Sequence, residues 1–198
     1  MAVDDDEDMS DEEWEALLAV KSIPRVLTHE EQERDARIIR DHQFASVICP
    51  GAIVSLLTVL GDSGILNNYT YTIFCVVPIE EGQTFRLGEH RENGVDYYFI
   101  AMPRDAVFAA AEEDLFDPIE TNYQRASNEA ALAQWIYLAT PPSDALAMAP
   151  REIEVDDVDW PKLERICSAM GVSEQLAAWR ETVIDLNAEQ IVTPGLGL

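Results

Sequence analysis

The sequence predicts an α+β fold, in which a small antiparallel β-meander over about residues 69–102 is packed by several short helices and followed by a C-terminal helical hairpin. Three observations carry that prediction. Tyr69 to Val77 alternates, with Tyr71, Ile73, Cys75 and Val77 on one face and Thr70 and Thr72 on the other, the period-two pattern of a half-buried strand. Around it, apolar residues recur at helical spacing behind capping residues. The 198 residues are 47% hydrophobic, enough for one substantial core.

Taken in chain order, Ser10-Asp11-Glu12-Glu13 has the form of a capping box, and Trp14, Leu17 and Leu18 then share one face, predicting a short helix from about 11 to 20 that ends before Pro24. A second capping box, Thr28-His29-Glu30-Glu31, opens a helix toward residue 43, with Glu30 and Arg34, and Glu33 and Arg37, spaced to pair. Phe44 to Leu60 carries no charge, yet Pro50-Gly51 interrupts it and it is short for a membrane span; a buried helix over about 51–60, stopped by Gly61, is the better reading. Strands are expected at Tyr69–Val77, Gln83–Leu87 and Val95–Met102, the last two joined by GEHRENG with its Asn93-Gly94 turn.

Pro103 is placed to begin a helix through AVFAAAEEDLF, until Asp117-Pro118 breaks it. Ser127 caps a further helix through Ala139 that buries Leu132, Trp135 and Ile136. Residues 140–150 read as a loop, and Ile153 and Val155 as a short added strand. Pro161 opens a helix presenting Leu163, Ile166, Cys167 and Met170; Gly171 closes it; and a last helix presents Leu176, Trp179, Val183 and Leu186. The organisation expected is an acidic arm over 1–22, one α+β domain over 23–187 and an extended tail over 188–198.

Charge separates the function classes. The formal net charge is −25, and the first twenty residues hold nine acids and no base. The remaining chain still has 29 acids against 13 bases, a balance of −16. Sequence-independent binding to nucleic acid depends on lysine and arginine displacing phosphate counterions, so the sign argues against a direct nucleic-acid partner and against an anionic membrane. With only Lys21 and Lys162 as lysines, an acid excess that serves hydration alone is the competing reading.

No motif points to catalysis. His29, His42 and His90 have no metal-ligand spacing with Cys49, Cys75 or Cys167, and each sits where a surface residue is expected. GxSxG, Walker-type and dinucleotide-binding patterns are absent from the sequence, so no cofactor and no enzymatic activity is expected. Glu112-Glu113-Asp114 and Asp156-Asp157-Val158-Asp159 read as solvated or helix-start charge. Residues 163–179 have a helix-turn-helix outline, but Glu174, Gln175, Arg180 and Glu181 are poor groups for reading DNA, and a plain hairpin is preferred. Three widely spaced cysteines and no basic-then-apolar N-terminus lead to the expectation of cytoplasmic residence, or of life inside a particle assembled there.

These observations lead to a non-enzymatic accessory or inhibitory factor that engages a positively charged protein surface, with nucleic-acid mimicry as one version. Its expected docking helix consists of Trp14, Leu17 and Leu18 flanked by Asp11, Glu12, Glu13 and Glu15; the same apolar stripe would equally fold back onto the chain's own body. The alternative is a structural or assembly component whose terminal arms reach neighbouring subunits, which leaves oligomerisation open.

Overall fold

The computed structural model describes residues 28–67, 70–80, 87–118, 123–143 and 145–185. The predicted helix at 11–20, the predicted strand Gln83–Leu87 apart from Leu87, which is not in a strand, and the tail over 188–198 lie outside them. The chain divides between Ile38 and Ile39 into two units, and the division falls within the first described helix, α1, His29–Ile48. Glutamates, arginines and alanines favour this helix, and Pro50 stops it just beyond its end. In its first half, His29 pairs with Glu33 at 3.3 Å and Arg34 with Asp35 at 3.7 Å, rather than in the Glu-to-Arg spacing expected from the sequence. In its second half, His42 and Ala45 are buried, as is Cys49 just past its end, the one-sided burial of an amphipathic helix.

The fold is α+β. A five-stranded sheet has the order β3-β4-β2-β1-β5, built from β1 Ile53–Val54, β2 Thr72–Ile79, β3 Gly88–Glu92, β4 Val95–Pro103 and β5 Gln124–Arg125. Its centre is more mixed than a meander. β4 runs parallel to β2, β3 pairs antiparallel with β4 from the outside, and β1 pairs antiparallel with β2 and parallel with β5. GEHRENG, read from the sequence as a connector, supplies β3 itself. Asn93 and Gly94 at φ 52° and 82° form the tight hairpin that locks β3 to β4, and the other edge of β4 is taken by β2.

The predicted helix over 51–60 begins later than expected. Gly51 turns the chain at φ 85°, the β-branched pair Ile53-Val54 joins the sheet, and α2 is Leu56–Asp62. Leu56 sits at φ 55° between strand and helix. That left-handed conformation costs about 1–2 kcal/mol for a residue with a side chain, and burying Leu56 to 1% exposure offsets it. β1 is too short to cover all of β2, so α2 completes the ladder: Ser55 N–H donates to Phe74 O at 3.0 Å, and Phe74 N–H donates to Thr58 Oγ1 at 2.7 Å.

After β4, the single helix expected through residue 116 is instead two short turns, α3 Arg104–Val107 and α4 Glu112–Leu115. A continuous helix would hold Phe108 and Phe116 about 12 Å apart along its axis, whereas the bend brings their rings to 6.1 Å. α5, Asn128–Leu138, is capped by Ser127, whose Oγ accepts from Ala130 N–H and donates to Asp114 O. This helix packs against α2 and α4 and is buried on nearly every side. Its buried Gln134 accepts from Ser55 Oγ at 2.5 Å. Buried Glu129 accepts from Asp159 N–H and pairs with Lys162 at 3.1 Å, so both of its oxygens are used.

The C-terminal hairpin is α6 Trp160–Ala169 and α7 Ser173–Arg180, turning at Gly171 with φ 73°. Asp159 Oδ1 caps α6 by accepting from Lys162 N–H at 3.0 Å. Leu163, Ile166, Cys167, Leu176 and Trp179 face the core, and Trp179 Nε1 donates to Pro150 O at 2.8 Å. Of the added strand expected around Ile153 and Val155, only Glu152–Ile153 forms, as β6, with Val155 in a 3-10 turn; it pairs with an unforeseen β7, Ile184–Asp185, in a separate two-stranded parallel sheet. No helix among the described residues is long and apolar enough to cross a membrane.

Candidate functional site

Strand register determines what the sheet shows to solvent. Phe74 pairs with Tyr98, Thr72 with Asp96, Glu89 with Tyr98 and Arg91 with Asp96. Paired residues share a face, so these side chains lie together on one face, while Ile73, Cys75, Tyr97 and Phe99 lie on the other. Tyr97 marks that second face as the one under α1, because its hydroxyl donates to Asp41 O at 3.1 Å. Burial and the Asp41 charge push the Tyr97 phenol up to about 12.

A cleft of about 880 Å³ opens on the Phe74 side, with Leu146 among its walls and His90 at its border. The Phe74 and Tyr98 rings are half-buried, with centroids 5.6 Å apart and planes inclined at 55°. The wall is fixed from α5: Ala145 and Leu146 N–H both donate to Leu138 O, and Trp135 Nε1 donates to Ala147 O. Glu89 is exposed with no cationic side chain within ion-pair distance among the described residues. Asp96 meets Arg91 at 3.6 Å with both side chains more than half exposed. A second cleft of about 370 Å³ lies between Pro103, Tyr137, Pro142, Met170 and Val172 and has no charged lining.

The histidines part company in the structure. His29 is exposed as expected, and His90 is partly buried in β3 beside Glu92. His42, expected at the surface, is buried to 4% exposure because it shares the buried face of α1 with Ala45. Its Nδ1 lies 3.4 Å from the Tyr123 hydroxyl, and its Nε2 lies 3.7 Å from Asp62 Oδ2. Arg125 stands 3.8 Å from the same Asp62 oxygen, donates to Asp117 Oδ2, and donates to Val59 O at 3.4 Å. Burial first, and the Arg125 charge second, hold the His42 ring well below its ordinary range, to about 4, against the pull of Asp41. Burial raises the Asp62 carboxyl while Arg125 opposes the rise.

This network ties α1, α2 and β5 together with every charge answered, and both His42 nitrogens face protein groups. It therefore reads as a polar clamp within the core. Among the described residues, no group of three or more histidine, cysteine and carboxylate side chains converges as a metal ion requires. All three cysteines are free and buried; burial raises each thiol, that of Cys167 to about 12.

The residues predicted to bind a partner, Asp11, Glu12, Glu13, Trp14, Glu15, Leu17 and Leu18, lie outside the described residues. Of the acidic runs, Asp114 is drawn to Arg165 at 2.8 Å and its carboxyl is held below the usual range; Asp159 caps α6; Glu112, Glu113, Asp156 and Asp157 are solvated. The aromatic face was missed by sequence reasoning, although one signal was present. Phe74 falls on the strand face otherwise marked by Thr70 and Thr72, an aromatic where polar alternation calls for a polar residue. The chain matches no known family model, no curated protein and no solved structure.

Proposed function

We propose that the chain is a non-enzymatic accessory or inhibitory factor that binds a positively charged protein surface, acting in the cytoplasm or within a particle assembled there. One observation carries the reading. Every described arginine and lysine except Arg37 and Arg151 lies within ion-pair distance of a carboxylate. Glu112, Glu113, Asp156, Asp157, Glu174 and Glu181 are exposed with no cation within ion-pair distance among the described residues. Apart from Arg37 and Arg151, the described positive charges are thus answered within the fold, and the balance offered to a partner is negative.

Such a surface raises the on-rate for a basic partner and repels nucleic acid. Where the partner is itself a nuclease or a DNA-binding protein, carboxylates stand in the places of phosphates. Free buried thiols fit a reducing compartment. The test is a pull-down from the native host at low and at high salt, with partners ranked by their arginine and lysine content. Capture of a basic protein that weakens steeply with salt supports the reading. Capture that keeps full strength at high salt overturns it; if that capture also needs residues 1–22 or 188–198, the chain is an assembly component instead.

A further inference from the structure

We propose that the cleft on the Phe74 and Tyr98 face of the sheet receives an arginine side chain from a basic segment of the partner. The proposal rests on the reading of the chain as a binder of cationic protein surface, and it names where that surface docks. Phe74 and Tyr98 offer two half-buried aromatic rings at 5.6 Å on one side of an opening of about 880 Å³. Glu89 lies directly opposite Tyr98 in the β3–β4 register, exposed and without a cation partner among the described residues. An incoming guanidinium would therefore meet a ring face and a carboxylate together. Those are the two groups it binds best, through cation–π attraction and charge-assisted hydrogen bonds.

The fold already contains that arrangement elsewhere. Arg180 lies over the Trp160 ring at 4.4 Å to the centroid while its Nη1 donates to Glu164 Oε1 at 2.9 Å. Tyr98 and Glu89 bring the same two kinds of group, an aromatic ring and a carboxylate, to neighbouring positions on one sheet face. Arginine is favoured over lysine because its plane stacks on a ring while its fork addresses a carboxylate. Among the described residues Arg91 is the one arginine or lysine lining the cleft, and it is held to Asp96 at 3.6 Å on a solvated rim. Exposed pairs of this kind are weak, so a competing guanidinium displaces it at little cost.

The experiment titrates the full chain at low salt with an acetylated, amidated Gly-Arg-Gly-Arg-Gly peptide, and with the same peptide carrying citrulline, which keeps the shape and loses the charge. Calorimetry is run on the wild type, Glu89→Gln, Tyr98→Leu and the double variant Glu112→Gln/Glu113→Gln. The expected result is binding of the arginine peptide alone, weakened about threefold or more by Glu89→Gln and by Tyr98→Leu, and less by the double variant although it removes more charge. Glu89 is exposed, so its substitution tests the site even where Tyr98→Leu disturbs the sheet. Equal affinity for wild type and Glu89→Gln overturns this docking site while leaving the cationic reading intact. No binding of the arginine peptide to the wild type overturns both.

Discussion

His42 sits in the fold as the neutral imidazole, and that makes acid its particular weakness. The groups facing it are Asp41 on its own helix, Asp62 at the end of α2, Arg125 on β5 and Tyr123 beside it. Its folded-state pKa, about 4, lies below the ordinary 6.5. As pH falls through 6.5 the unfolded chain takes up a proton that the native chain refuses, so stability is lost from there down to about pH 4 and then levels. Between about pH 7 and about pH 5 the loss assigned to this one ring is about 2 kcal/mol. Urea denaturation of wild type and His42→Gln at the two pH values reads it: the wild type should weaken more than the variant by that margin. Parallel profiles would mean that His42 titrates as an exposed ring does. Asp62, raised by its burial, works in the opposite sense near its own range, and the comparison of the two chains removes most of its contribution.

At the scale of elements, the positions that sequence reasoning located well were those with local chemistry. Ser127 and Gly171 fall where a cap and a turn were expected, and Asn93-Gly94 makes the expected turn, although the strand it leads back to is Gly88–Glu92; each turn or cap needs only its neighbours in the chain. What stayed hidden was decided at a distance. The parallel pairing of β2 with β4, the added β7, and the meeting of His42 with Tyr123 across 81 residues of chain leave no local pattern. The docking cleft was half legible, in Phe74, and half hidden, since the register that places Glu89 against Tyr98 is a property of the assembled sheet. The α6–α7 turn offers a clean local test. A Cβ at Gly171 meets nothing within 4 Å, yet φ is 73°. Gly171→Ala should therefore cost about 1 kcal/mol from backbone strain alone, and Gly171→Asn less, since asparagine tolerates that conformation. Equal losses in urea midpoint for the two variants would point to a clash instead.

For the whole molecule, charge sets the conditions under which it holds together and binds. With a net charge of −25, self-repulsion outweighs what the exposed ion pairs return, because pairs such as Arg180–Glu164 at half exposure contribute little. Added salt should raise the thermal midpoint while lowering affinity for a basic partner, two opposite responses from one screening length. A midpoint that falls with sodium chloride would show that the ion pairs dominate. The three sealed thiols have a separate experimental consequence. Cys49, Cys75 and Cys167 are buried and their thiols are held in the unreactive protonated form. A cysteine introduced at an exposed position such as Glu181 would then react alone with a maleimide dye or a nitroxide. The wild-type background thus serves for spectroscopic ruler measurements, and the distance to a bound partner can be read without first stripping the native cysteines.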